Sequence, residues 1–347
     1  MRDPAGSAAR AVLVRAARLS AVLAVLVTPV RAAGPAEAKA WLAAIERSPD
    51  LQKKLDAAVD ALLARNPQLR PENVRLSVID LDPSGRPKIA DRNGDRPTYP
   101  ASVVKFVYLM AAFAWKDQEK LEIDATLDRD LREMTYASSN DATQRVVARL
   151  TGTSPGPELS PEAYREFRDR RLMVKRWLAT LGIEQLHAMH PTYNGNGDLY
   201  GRDRQLLQDG SIPGGLPAKP GEYPNRQAMT ANETARLLAL LATDRALSPA
   251  SSAEVRERMR RDSRKQPHLV HRIAGGARRC DASLEIVAKT GTWGPIYADA
   301  GFVRNAAGDS FVLAAFIDSK PPYRGSFIAD LTLRLSQELL GCDGAAR

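Results

Sequence analysis

The 347-residue chain predicts an α+β fold: one antiparallel sheet flanked by helices, plus a separate all-helical lobe. Three observations predict it. Alternating, β-rich segments lie near both ends of the chain, helical periodicities fill the middle, and turn signals join neighbouring β segments into hairpins. A sheet assembled from both ends and packed against terminal helices leaves the middle to form its own lobe. At 26% charged and 44% hydrophobic residues, the composition suits a globular chain of one or two domains.

The first 32 residues stand apart. Arginines precede the apolar run Leu19–Val30, and Val30-Arg31-Ala32 offers small residues for cleavage. This reads as a secretory signal, and the run is short for a membrane span. An uncleaved anchor is the competing reading. The segment carries +4 of the formal charge of +9, which leaves a mildly basic remainder of +5. No dense Lys/Arg run interleaved with aromatics marks a nucleic-acid surface. A basic surface instead favours anionic small molecules or cell-wall polymers.

In order along the chain, Ala36–Asn66 is helical in pattern with a break at Ser48-Pro49. Val74–Leu81 alternates and reads as a strand. The turn signal Asp82-Pro83-Ser84-Gly85 leads to a returning strand over Arg86–Asp91. After Pro100, residues 102–115 form a strongly apolar helix, and 124–133, 141–150 and 161–181 are helical again. Asn194–Asn225 is rich in Gly, Pro and Asp and reads as a long loop or lid. Thr230–Thr243 returns to helix, with Thr230 as N-cap and Glu233 completing a capping-box pattern. Residues 248–261 give a further helix. Strands follow at Leu284–Lys289, Tyr297–Arg304 and Ser310–Asp318, the last two joined by the hairpin Asn305–Asp309, and Ile328–Leu340 closes the chain as a helix. The expected organisation is a signal peptide over 1–32, an N-terminal helical extension over 33–68 and a catalytic domain over 69–347. Its sheet lobe takes about 69–100 and 230–347, its helical lobe about 101–229.

Three short motifs fall on these elements. Ser102-Val103-Val104-Lys105 opens a helix, so its serine and lysine share one helical face. Serine is a poor nucleophile until a base takes its proton, and a lysine in a dry cleft can be that base. The helix N-terminus also supplies N–H groups for an oxyanion. Ser138-Ser139-Asn140 offers a hydroxyl to relay a proton and an amide to hold Lys105 or substrate. Read alone, it is a helix N-cap. Lys289-Thr290-Gly291-Thr292 ends a β-rich segment. Its lysine and threonines suit a carboxylate, Gly291 permits close approach, and a strand edge can pair with an extended amide.

Together and in this order the motifs resemble the penicillin-recognising serine enzymes, the serine β-lactamases and penicillin-binding D-alanyl-D-alanine peptidases. The resemblance covers roughly residues 70–340 and is nearest the class A β-lactamase branch. It implies the β-lactamase/transpeptidase-like fold, with the site between the two lobes. It also implies Ser102 as nucleophile, Lys105 and Ser138 as proton carriers, and a second oxyanion N–H from Thr292. Asn140, Lys289, Thr290, Gly291 and Thr292 become substrate-binding residues.

The chain departs from the family at one place. Class A enzymes carry a glutamate in an E-P-x-L-N-type loop that activates the water for deacylation. Here the segment after Leu178-Ala-Thr-Leu-Gly182 is His190-Pro191-Thr192-Tyr193-Asn194, so histidine stands in the glutamate's place, with Asn194 retained. A neutral imidazole is a general base near pH 7, and the alternative is a histidine that packs the loop. His187 is a weaker candidate for the same task. The family's frequent cis bond is expected at His190-Pro191. Trp293 and Tyr297 are further cleft candidates, or ordinary packing residues. Cys280 and Cys342 either pair, as an exported protein allows, or remain thiols.

The functional expectation is an exported serine hydrolase, periplasmic or secreted, that hydrolyses the β-lactam amide through a Ser102 acyl-enzyme. The alternatives are a D-alanyl-D-alanine peptidase or amidase of cell-wall metabolism, and a penicillin-binding sensor that does not turn over. The partner is a small-molecule β-lactam or a cell-wall peptide. No nucleic acid, no stable membrane insertion after signal cleavage and no cofactor is expected, and the chain is expected to be a monomer. The histidines fall in two pairs without H-E-x-x-H spacing or a cysteine cluster, so no metal site is implied.

Overall fold

The computed structural model describes residues 34–342 apart from 84, 193–199, 215–216 and 218–222. The expected signal segment and Asn194 lie outside the described residues. At the N-terminal end, helices α1 (Pro35–Ala43) and α2 (Pro49–Ala64) flank the two-residue strand β1 (Glu46–Arg47). The break falls where Ser48-Pro49 places it. Ser48 caps α2 by accepting from the Leu51 N–H, and proline takes the first turn, where its missing N–H costs nothing.

Strands β2 (Val74–Asp80) and β3 (Lys88–Arg92) form the expected hairpin. Near the C-terminus β6 (Glu285–Trp293), β7 (Ile296–Arg304) and β8 (Ser310–Asp318) form a meander. Antiparallel pairing of β2 with β8 joins the two ends of the chain, and the sheet runs β1-β3-β2-β8-β7-β6. Only the short β1–β3 contact is parallel. The sheet lobe is thus antiparallel and built from both ends, as its sequence pattern predicts.

Both faces of the sheet are covered. Along β8, Val312, Ala314 and Phe316 join one core cluster, while Phe311, Leu313, Ala315 and Ile317 join the other. This two-residue alternation is why β8 reads as an unbroken apolar run. The first face packs on α3 (Lys105–Asp117), whose residues Lys105 through Trp115 are all buried, and on α9 (Ala231–Ala242). The second packs on α2, α11 (Ile273–Cys280) and α12 (Phe327–Leu340). Between these come α4 (Ala125–Arg132), α5 (Asn140–Thr151), α6 (Pro161–Arg171), α7 (Met173–Thr180) and α10 (Pro249–Met259).

Several expectations are corrected. Residues 273–280, for which the sequence pattern predicts no element, form helix α11, which ends at Cys280 and buries Ile273, Ala277 and Cys280. The Cys280 sulfur is bonded to that of Cys342, with Cα atoms 5.7 Å apart. The stretch 194–225 is not loop throughout. It holds helix α8 (Gly201–Gln208), anchored by a buried Arg171–Asp203 ion pair at 2.9 Å. The His190–Pro191 bond is not cis; the cis bond among the described residues is Lys320–Pro321. Half of the capping box forms. Thr230 accepts from the Glu233 N–H, but the Glu233 carboxylate turns to the Glu184 N–H instead.

Candidate active site

Ser102 does not sit in the α-helix itself. It lies in a 3₁₀ turn, Ala101–Val104, that runs into α3 at Lys105. Residues three apart eclipse one another in a 3₁₀ turn, so Ser102 and Lys105 stand one above the other. Ala101, immediately before the serine, holds a left-handed φ of 47°. A non-glycine residue in that region carries strain that surrounding contacts must offset. The contacts come from β6. A Cβ on Gly291 would lie 2.7 Å from the Pro100 carbonyl oxygen and 3.1 Å from the Val103 nitrogen. Gly291 is therefore required because β6 presses on the turn that carries Ser102. Its expected role in substrate approach has no such direct support.

The middle motif divides its labour. Ser139 is the N-cap of α5, accepting from the Ala142 N–H at 3.1 Å. Ser138 ends a single π turn, Glu133–Ala137, in a left-handed conformation (φ 59°). That turn aims Ser138 at both lysines. Lys105 Nζ donates to the Ser138 carbonyl at 2.5 Å and to Asn140 Oδ1 at 2.8 Å, and lies 3.3 Å from Ser138 Oγ. Lys289 Nζ donates to Ser138 Oγ at 3.0 Å and to the Thr290 carbonyl at 2.8 Å.

Electrostatics follow from burial. Both lysines are buried. Desolvation pulls Lys105 down to about 7. It also pulls Lys289 well below the usual lysine value, reinforced by Lys105, Arg261 and Arg272 and opposed by Asp299. A neutral Lys105 has two N–H bonds, and the Ser138 carbonyl and Asn140 Oδ1 take both. Its lone pair is then left to accept a hydroxyl proton.

The Lys289 motif lies inside β6 rather than at its end. The first half of that edge is already paired, with Arg261 N–H donating to the Ile286 carbonyl at 2.9 Å. The edge at Thr290–Thr292 instead lines a cavity of about 580 Å³ with Ser102, Ser138, Gln266 and His268. Three residues with no motif signal complete the site. Arg272 donates to Thr292 Oγ1 at 2.6 Å and stacks 3.5 Å over the Tyr297 ring. Arg261 is buried behind Tyr136. Asp299, opposite Thr290, is buried among these cations and accepts from the Ile273 N–H. Burial pushes the Asp299 carboxyl above the usual range. A charged residue in the middle of an apolar strand was the only sequence sign of this cluster.

The remaining candidates lie elsewhere. Tyr297 is packing, held under Arg272 and against Tyr323. Trp293 is 55% exposed at the end of β6, edge-on to Tyr99, with Arg226 over both rings. His190 is buried. Its Nε2 donates to the Asn225 carbonyl at 3.1 Å, and its Nδ1 has no hydrogen-bond partner among the described residues. Its own carbonyl accepts from Tyr108 and Gln227. Burial, with Arg171 nearby, pulls the imidazole down to about 3. His187 is likewise buried, in the strand pair β4 (Leu186–His187) with β5 (Ala228–Met229).

The model of the β-lactamase enzyme family matches residues 173–339, just under half of the chain. Among solved structures, PBP-A is 19% identical, with 86% of this chain and 98% of that chain covered and a TM-score of 0.55. A β-lactamase from Sphaerobacter thermophilus is 19% identical over 83% and 97%, with a TM-score of 0.56. The class A β-lactamase of the last common ancestor of Gram-negative bacteria is 18% identical over 81% and 99%, with a TM-score of 0.58. The chain has the fold of the penicillin-recognising serine enzymes. No curated protein sequence matches it. The serine turn, the residue after the π turn and the β6 edge meet at one cavity, where Ser102, Ser138, Thr290 and Thr292 are motif residues and Tyr136, Gln266 and His268 are not. No helix among the described residues is long and apolar enough to cross a membrane.

Proposed function

We propose that the protein is an exported serine hydrolase that opens β-lactams through a Ser102 acyl-enzyme. One observation carries this reading: Lys105, Ser138 and Lys289 share a single buried hydrogen-bond network at the base of the cavity that Ser102 lines. Lys105, neutral through burial, takes the Ser102 proton as Oγ attacks the amide carbonyl. Ser138 passes a proton on to the departing nitrogen. The Ser102 and Thr292 N–H groups hold the oxyanion. Thr290 and Thr292 hold the substrate carboxylate, with Arg272 behind Thr292 supplying positive charge. A variant of PBP-A has been solved as an acyl-enzyme complex with penicillin G, which supports the same first step here.

The second step is weaker. His190 stands in the sequence register of the family's water-activating glutamate, but it is buried and is not among the residues that line the Ser102 cavity. A base pulled down to about 3 accepts a water proton poorly, so deacylation through it is slow and the acyl-enzyme long-lived. That observation favours a second reading, a D-alanyl-D-alanine peptidase or amidase of the cell wall, or a sensor that acylates without turning over. A turnover screen separates them: a chromogenic cephalosporin, an ester and a D-Ala-D-Ala peptide are compared. Repeated turnover of the cephalosporin with no D-alanine release supports the first reading. D-alanine release supports the peptidase, and a single product per chain supports the sensor.

A further inference from the structure

Behind the catalytic cavity lies a second one of about 560 Å³, large enough for a small ligand. The two share Tyr136, Ala137, Lys265 and Gln266 as a common wall. The shared wall begins one residue before Ser138, the hydroxyl that serves the leaving group in the reading above. The tyrosine ring on it is 59% exposed, so the boundary is a low aromatic sill rather than a closed partition.

The chemistry of the second cavity is cationic. Arg132, Arg258, Arg260, Arg261, Lys265 and Arg278 line it against three acids, a net of +3. Acids outside the wall offset part of this: Asp128 pairs with Arg132 and Arg258, Glu254 with Arg258 and Glu285 with Arg260. Two of the wall's own acids are in turn engaged from outside, Glu133 by Arg145 at 3.4 Å and Asp262 by Arg264 at 2.9 Å. Arg261 is buried and donates only to backbone carbonyls, those of Thr135, Arg258 and Arg260, among the described residues. Lys265 makes no ion pair among the described residues. A concave site with this surplus of cations suits a carboxylate-bearing ligand, which arginine forks hold by charge-assisted pairs.

We propose that this cavity is an extension of the substrate site that takes an acidic group carried on the leaving-group side of the substrate. The inference rests on the acyl-serine reading only for its orientation, because the charge and the shared wall stand without it. The test uses the full chain with Ser102→Ala, so that binding is measured without chemistry. Titration calorimetry at low salt compares N-acetyl-glutamyl-glutamate with its uncharged glutaminyl-glutamine amide. The acidic peptide is expected to bind roughly tenfold or more tightly, with the preference shrinking as salt is raised. Arg132→Glu combined with Arg260→Glu should reduce the preference to what the Ser102 cavity alone provides. Both side chains are more than half exposed, and both line only the second cavity. The proposal is overturned by equal binding of the two peptides, by a preference undiminished in the double variant, or by one indifferent to salt. Intact-mass measurement of the unmodified chain with penicillin G is scored separately. Acid-selective binding without an adduct removes the acyl-serine reading and keeps the anion site; an adduct without acid selectivity does the reverse.

Discussion

At the residue scale, the site depends on one lysine being neutral. Lys105 and Lys289 both reach Ser138 Oγ, and two charged ammonium groups that close oppose one another's protonation. The base form of Lys105 exists above its pKa of about 7. The rate of Ser102 acylation should therefore rise with pH through about 7 and level off above it, read from the pH profile of kcat/KM. Lys105→Met should remove that rise and lower acylation by ~10²–10⁴-fold, the usual effect of losing a positioned base. The prediction at His190 has a different sign and a different step. If it is the deacylation base, release of the acyl group should stay flat from about pH 4 to 8, because its pKa of about 3 lies below that window. His190→Glu should speed release, and His190→Ala should lengthen the acyl-enzyme lifetime. Both are read from decay of the mass adduct. An unchanged lifetime in His190→Ala would transfer water activation to Lys105.

At the scale of elements, β6 positions the nucleophile. Gly291→Ala would place a methyl 2.7 Å from the Pro100 oxygen and push the strand off the Ser102 turn. Because displacements of an ångström can cost ~10²-fold in rate, acylation should fall by about that factor while the far-ultraviolet spectrum is kept. Much of this level was legible in the sequence. The Val74–Asp80 strand, the buried helix after Ser102, the Thr230 cap and the C-terminal hairpin all announce themselves by period or by turn chemistry. The elements that were missed share a cause. Helix α11 is eight residues long with a buried face made mostly of Gly and Ala, and α8 is short and set among glycines and prolines, so neither carries a run of large apolar side chains. Strand β1 is two residues long and has no pattern at all. Arg272 and Arg261 were invisible because they reach the site from positions without a spacing rule, and only folding brings them behind Thr292 and Tyr136.

At the scale of the whole molecule, strands from both halves of the chain make one sheet, and α3 and α9 from between them cover its first face. The second face is closed by α11 and α12, and the Cys280–Cys342 bond ties these two helices at one end. It closes a loop 62 residues long, so removing it restores considerable freedom to the unfolded chain. Cys280→Ser with Cys342→Ser should lower unfolding stability by ~2–5 kcal/mol, read from denaturant melts. The bond sits at the other end of α11 from Arg272 and Ile273, which reach the site, so acylation of the folded fraction should be preserved. Arg261 and Arg272 lie beside the buried Asp299 at the cleft, and a site with these cations favours substrates that carry a carboxylate. All of these features serve one claim, that Ser102 is a nucleophile activated by Lys105 and Ser138. Intact-mass spectrometry after incubation with penicillin G tests it most directly. The account predicts one penicilloyl adduct per chain, mapped to Ser102 and absent from Ser102→Ala. Folded protein that shows neither an adduct nor turnover would contradict it.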